Sequence, residues 1–451
     1  MKTVDRRVTR RVTGGLVAGA LVATALVAGS PAASAAPSVA HARGAGIVLD
    51  STLITEVLAA GQRVTAVALE LRHRVTLTDG TARFVAVTTT TAGGETVQIP
   101  ATAVYSNDAP EIDNEGRKGQ SGRFLIVDVD ETDPRTATIG YDIATGRTVS
   151  VVQPYTVSLA TDRIPARWLA ALPVSLPTVV SSGAIDPLVD LFRPSTYTGS
   201  NGTTMDVRTF SPQRYLENPD GAETYPLVVV LHGAGESGAG NGAQLLANQS
   251  AVAFADPDRQ EGDPSFVMAP QINSGFWDDA NVRQALSELI EQTAATYPID
   301  PERVYVAGLS MGGFGVYSLL ANYPDRFAGG LVIAAGASPA LTPLLTDVPL
   351  WIHHSADDAV VPYSYAAETV DRIEAAGAVV TRGTWAGDLP TEAAEAQALA
   401  LTAQAEATGS HVLFTTYTAG TTPVSSHASW IPTFSNDVVL DWLLEQRRAG
   451  Q

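Results

Sequence analysis

The 451 residues carry 28 Lys and Arg against 47 Asp and Glu, a formal charge of −19, with 45% hydrophobic and 17% charged residues. That much apolar material supplies cores for two domains and excludes a disordered chain, while the acidity argues against nucleic acid and anionic membranes as partners, which need clustered Lys and Arg. With no cysteine in the chain, disulfides and thiolate chemistry are excluded, and covalent catalysis would need an oxygen or nitrogen nucleophile.

The chain opens with Arg6, Arg7, Arg10 and Arg11, then an apolar stretch over residues 12–29, then Ala33-Ser34-Ala35. A positive start, an apolar middle and a small-x-small site predict a signal peptide over residues 1–35, cut near Ala35, and hence secretion. The stretch is short, interrupted by glycines and followed by a cleavable site, so it reads as a leader and not as a membrane anchor. The arginine pairs leave both the general and the twin-arginine export routes open. Removing residues 1–35 takes away five positive residues and Asp5, leaving 23 positive against 46 negative and a mature charge near −23.

Residues 45–165 read as short β segments, with strands expected over 64–71, 84–89, 124–129 and 147–152 and turns at Asp79-Gly80, Gly93-Gly94 and Thr145-Gly146. Leu125, Val127 and Val129 alternate as side chains sharing one sheet face do. An all-β sandwich is expected here. Residues 166–202, with several prolines and then Gly199, Asn201 and Gly202, read as a linker.

From residue 203 to 451 strands alternate with helices. Near-continuous apolar runs at 226–231, 266–269, 304–307, 331–335 and 350–353 suit strands buried on both faces. Val282, Ala285, Leu286, Leu289 and Ile290 form one helical stripe. The expectation is an α/β fold with a doubly wound, mainly parallel sheet. Residues 390–408, rich in Ala, Glu and Gln, should be helical; lying between β-like runs at 379–385 and 411–418, they read as an insertion.

The strongest chemical signal is Gly308-Leu309-Ser310-Met311-Gly312, between an apolar strand and a helix. A serine on a sharp strand-to-helix turn needs small neighbours, and the bend pushes its Oγ above the sheet, which makes Ser310 the expected nucleophile. It needs a base, and the order Ser, acid, His places that base late in the chain. Of seven histidines, His427 sits in a loop before the last helical stretch, whereas His411 opens a β-like run and reads as structural. Asp357 and Asp358 both follow the strand ending His353-His354, and on spacing alone either carboxylate could orient the base. The oxyanion hole should combine the backbone N–H of Met311 with one from the loop Leu231-His232-Gly233-Ala234-Gly235-Glu236, where Ala234 is the expected donor. His232 reads as a buried hydrogen-bonding residue. No metal or cofactor is implied.

With LHGAGESG at residues 231–238, Ala269-Pro270-Gln271, the run from Tyr297-Pro298 to Gly312-Gly313, and His427-Ala428-Ser429-Trp430, the chain resembles esterases related to polyhydroxybutyrate depolymerases and feruloyl esterases. It is most similar to the two-domain EstA type, which carries an immunoglobulin-like domain before an α/β-hydrolase domain. The resemblance implies a serine esterase acting on small or polymeric esters through Ser310 and His427. It selects Asp358 through the pattern H-G-x-x-D-x-x-V-P, which lands on His354 to Pro362 with Ser355 in place of the glycine. Two departures stand out: Ser237 replaces a common arginine, and residues 390–408 have no clear counterpart. Polyester depolymerase and feruloyl esterase are narrower forms of this expectation. A prolyl-oligopeptidase-type peptidase would share the elbow, but its propeller would repeat every 40 to 50 residues and the sequence shows no such repeat. A binding module with an inactive hydrolase domain is the remaining alternative, disfavoured by three intact positions in the right order.

Overall fold

The computed structural model describes residues 47–77, 82–91, 93–112, 119–159 and 178–448. The expected signal peptide lies outside them. The described residues form two units: one from those within 47–54, 66–133 and 154–184, the other from those within 55–65, 134–153 and 185–448.

The first unit is built of strands. Gly61–Val75, Gly122–Val129 and Ala101–Asn107 lie side by side in a five-stranded sheet, and Tyr155–Leu159, Val85–Thr90 and Thr96–Ile99 in a four-stranded one. Val67 stands opposite Val127 and Leu69 opposite Leu125. These side chains, with Val87 and Ile99, are shut away from water and supply the apolar burial that stabilises the unit. The expected alternation of Leu125, Val127 and Val129 holds as far as their burial, yet Ile126 is buried too.

In the second unit nine strands form one sheet: β1 Arg193–Thr198, β2 Thr204–Phe210, β3 Tyr225–Leu231, β4 Phe266–Gln271, β5 Ile299–Leu309, β6 Gly329–Ile333, β7 Leu350–Ser355, β8 Val380–Trp385 and β9 Val412–Tyr417. Their spatial order is β1-β2-β4-β3-β5-β6-β7-β9-β8. The pairs β1–β2 and β2–β4 are antiparallel, and every other pair is parallel. Parallel neighbours need crossovers that cover the sheet, and these are helices such as α1 Ala280–Thr296, α2 Met311–Asn322, α3 Ser364–Ala375 and α4 Thr391–Thr408, with α5 Asp437–Glu445 at the end. Two apolar cores result, each using alternate side chains of the same strands: Leu227, Val229 and Leu231 point into one, Val228 and Val230 into the other. The helical stripe expected on α1 is buried in the first of them.

Three sequence expectations change. Residues 193–198, read as linker, form β1 by pairing in full register with β2, Arg193 opposite Thr209 and Thr198 opposite Thr204; Gly199 and Gly202 belong to the tight turn between them, with Gly202 at φ 82°. The helix expected over 390–408 is present as α4, but it is the crossover joining β8 to its parallel neighbour β9 and not an insertion. The segment Ile139–Asp142 with Arg147–Ser150, read as part of the front sandwich, is a separate two-stranded hairpin grouped with the second unit.

Candidate active site

The carboxyl ends of β3, β5, β7 and β9 bring the expected site residues together, as open parallel sheets place ligand sites at that edge. Ser310 ends β5 and begins α2 at φ 50°, ψ −119°, a conformation L-residues rarely adopt. The strain is held from several sides. The Ser310 N–H donates to the Ile333 carbonyl at 2.8 Å. A Cβ on Gly312 would lie 2.0 Å from the Leu231 carbonyl oxygen, and one on Gly308 would lie 2.6 Å from Gly312. Only glycine lets strand and helix approach this closely, which is the physical content of the G-x-S-x-G spacing.

His427, in the loop between β9 and the short helix Trp430–Phe434, places Nε2 2.9 Å from Ser310 Oγ and Nδ1 2.7 Å from Asp358 Oδ2. Its ring stands edge-on to Trp430, with centroids 5.3 Å apart. Asp358 Oδ1 accepts the backbone N–H groups of Val360 and Val361 at 2.8 and 3.0 Å. Its Oδ2 also lies 3.3 Å from His354 Nε2, which in turn donates to the Val361 carbonyl at 2.9 Å. Burial alone would raise the Asp358 carboxyl, but the hydrogen bonds from His354 and His427 outweigh it and hold the group well below the usual carboxylate range. The site therefore keeps a negative charge beside His427 Nδ1.

The neighbouring carboxylate does something else. Asp357 is exposed, and it accepts from Ser355 Oγ at 2.8 Å and from the Gly420 N–H at 2.9 Å. Ser355, standing where a glycine was expected, accepts from Thr422 Oγ1 at 2.8 Å. Asp357 and Ser355 thus tie the loop after β7 to the loop after β9. His411 precedes β9 at the opposite edge of the sheet and donates to the Thr346 carbonyl.

Ala234 begins the turn Ala234–Glu236 after β3, and Met311 is the first residue of α2. Backbone N–H groups at the start of a helical turn have no intrahelical acceptor and carry partial positive charge. Ala234 and Ser310 line one cavity of about 540 Å³ together with His427. His232 sits behind the loop, buried: its Nδ1–H donates to the Gly233 carbonyl at 2.6 Å and its Nε2 accepts the Ile272 N–H at 3.2 Å. Burial pushes it down to about 4, so it is neutral at pH 7. Sequence reasoning missed Glu236, whose Oε2 is buried without a partner in the cavity wall and whose carboxyl burial pushes up to about 7. It also missed Tyr141 and Thr148 of the hairpin, which line the same cavity.

Residues 198–439 match the family described as "Putative esterase", and residues 50–164 match "Esterase Ig-like N-terminal domain". The solved structure of a thermostable esterase superposes with a TM-score of 0.75 at 27% identity, covering 89% of this chain and all of that one. Among curated sequences, a poly(3-hydroxyalkanoate) depolymerase C of Paucimonas lemoignei is 34% identical over 119 residues, 25% of this chain and 28% of its own length. A poly(3-hydroxybutyrate) depolymerase of Ralstonia pickettii is 30% identical over 157 residues, 32% of this chain and 31% of its own. The chain spans about a third or less of the length of these two relatives.

Proposed function

The chain belongs to the esterase family, and we propose that it is a serine carboxylic ester hydrolase in which Ser310, His427 and Asp358 form the catalytic triad. The observation that carries this reading is the continuous relay from Ser310 Oγ through His427 to Asp358, at 2.9 and 2.7 Å. Ser310 Oγ attacks the ester carbonyl carbon while His427 Nε2 takes its proton. Asp358 holds the imidazole in the Nδ1–H tautomer and stabilises the imidazolium that forms. The N–H groups of Ala234 and Met311 receive the oxyanion. His427 then protonates the departing alcohol, and a water activated the same way releases the acid from Ser310.

Ser310→Ala should lower hydrolysis of p-nitrophenyl acetate on the order of 10³-fold or more while leaving the thermal transition in place. A fluorophosphonate should label Ser310 alone. Near-normal activity in the variant, or labelling elsewhere, refutes the assignment.

A narrower reading, hydrolysis of bulky or polymeric esters, is favoured by the apolar side chains exposed around the cavity: Tyr141, Val360 and Val424 are 63%, 67% and 80% exposed. A chain-length series of p-nitrophenyl esters beside a feruloyl ester and a polyester film separates the substrates. Export through cleavage near Ala35 completes the proposal; the amino terminus of the mature protein tests it.

A further inference from the structure

The loop that carries Ala234 is held at its flanks, where His232 donates to the Gly233 carbonyl and Gln271 to the Glu236 carbonyl at 2.7 Å, but only loosely by its own main chain. Between Gly233 and Ser237 it makes two backbone hydrogen bonds, each 3.3 Å long: Glu236 N–H to the Gly233 carbonyl and Ser237 N–H to the Ala234 carbonyl. Bonds of that length are weak. The Ala234 carbonyl has a second and shorter partner, the Arg147 guanidinium, which donates from Nη1 at 2.7 Å from a position 87 residues earlier in the chain.

Arg147 is itself held. It lies on the second strand of the hairpin, where it stands opposite Asp142. At the hairpin base the Thr138 N–H donates to the Gln62 carbonyl at 3.1 Å, and Thr138 Oγ1 donates to Gln62 Oε1 at 2.7 Å. Gln62 Nε2 then donates to buried Asp186 at 2.7 Å. The hairpin also lies flat on the loop: a Cβ on Gly235 would meet the Tyr141 ring at 3.3 Å and Thr148 Oγ1 at 3.6 Å.

The geometry points to Arg147 as a positioning residue for ester hydrolysis, holding the Ala234 backbone so that its N–H faces the developing oxyanion. This rests on the esterase reading above. A charge-assisted hydrogen bond is shorter and stronger than a neutral one, and an oxyanion donor contributes only while it is aimed at the place where charge develops. Losing the guanidinium leaves the Ala234 carbonyl to its long 3.3 Å bond from the Ser237 N–H, while the flanking Gly233 and Glu236 carbonyls stay held by His232 at 2.6 Å and by Gln271 at 2.7 Å, so the peptide that tilts is the one at Ala234. The consequence is felt in the transition state and not in ground-state binding, since the contact is to the main chain and not to the ester.

Arg147→Ala and Arg147→Lys in the full chain test the assignment with p-nitrophenyl acetate and with a trifluoromethyl ketone, whose adduct on Ser310 carries an oxyanion. The alanine variant should lose about tenfold in kcat with KM within twofold, and its affinity for the ketone should fall by a similar factor. Lysine, which keeps a charged donor, should recover part of both. Unchanged kcat and ketone affinity in Arg147→Ala, or a loss confined to KM, overturns the proposal. Should the alanine variant not fold, the lysine variant decides: smaller paired losses in kcat and ketone affinity support the role, and wild-type values or a KM change alone overturn it. Ser310→Ala run in parallel separates the two failures. If it stays active, the triad reading itself falls; if it is inactive and both Arg147 variants behave as wild type, only the role of Arg147 falls.

Discussion

Asp357 and Asp358 differ by one position and face different work. Asp358 is shut from water and shared by two histidines and two backbone N–H groups, whereas Asp357 joins two loops at the surface. Asp358→Asn should therefore lower kcat on the order of 10³-fold or more, because an amide in its place no longer selects the Nδ1–H tautomer of His427. Asp357→Asn keeps one of the two acceptor oxygens of the loop ties, leaves the triad untouched, and should stay within about tenfold. Steady-state kinetics on both variants checks the pair, and equal losses would contradict the assignment. Glu236 supplies a stability signature of its own. Its carboxyl rises from an ordinary 4.5 to about 7 on burial, so the folded state favours the protonated form. Stability from this group is complete below about pH 4.5 and is lost as pH rises through 7, a change of about 3 kcal/mol. Glu236→Gln removes the titration. Its stability relative to wild type should climb between about pH 4.5 and 7 and level off above, measured by urea unfolding; a difference independent of pH would show that burial does not perturb this carboxyl.

The elements around Ser310 were legible because their chemistry is local in sequence. Gly308, Ser310 and Gly312 sit within five residues, and the steric reason for that spacing is the approach of α2 to β3, visible in the clash a Cβ on Gly312 would make only 2.0 Å from the Leu231 carbonyl oxygen. The alternation of apolar runs and helical stripes likewise fixes a parallel sheet, since strands buried on both faces leave no polar face to read. The choice between Asp357 and Asp358 was different in kind. Spacing allowed both, and what separates them is a set of bonds from the loop after β9, some 70 residues away. The misreadings have physical causes as well. Residues 193–198 carry proline and polar residues because β1 is the edge strand of the sheet, with its outer side unpaired and most of its residues exposed, and such a strand lacks the apolar run that marks its neighbours. The helix α4 looked foreign because its apolar contact is narrow, limited to Ala398, Leu401 and Ala405 among eighteen residues.

At the scale of the molecule, the boundary suggested by sequence and the boundary found in space do not coincide. Sequence patterning assigns residues 45–165 to a front sandwich, yet Thr55–Thr65 and Pro134–Gln153 group with the hydrolase unit, and Ala60, Ile139, Tyr141 and Thr148 line the cavity that holds Ser310 and His427. Short polar hairpins carry no signal of where they will dock, because docking is decided by side chains such as Arg147 that bond to main-chain atoms far along the chain. A chain beginning at Arg193 retains the nine-stranded sheet, Ser310, Asp358 and His427, but it lacks the hairpin, Gln62 and the side of the cavity they build. It should fold with a lower thermal midpoint and still react with a fluorophosphonate, since nucleophile and base remain 2.9 Å apart. Its kcat should fall even on p-nitrophenyl acetate, which is too small to need a remote wall, because Ala234 is no longer braced; on bulky esters KM should rise as well, where contacts with Tyr141 would have contributed binding. Calorimetry and the ester series on the shortened chain test both effects. A well-folded shortened chain with full acetate activity would mean that the loop after β3 keeps its geometry without the hairpin.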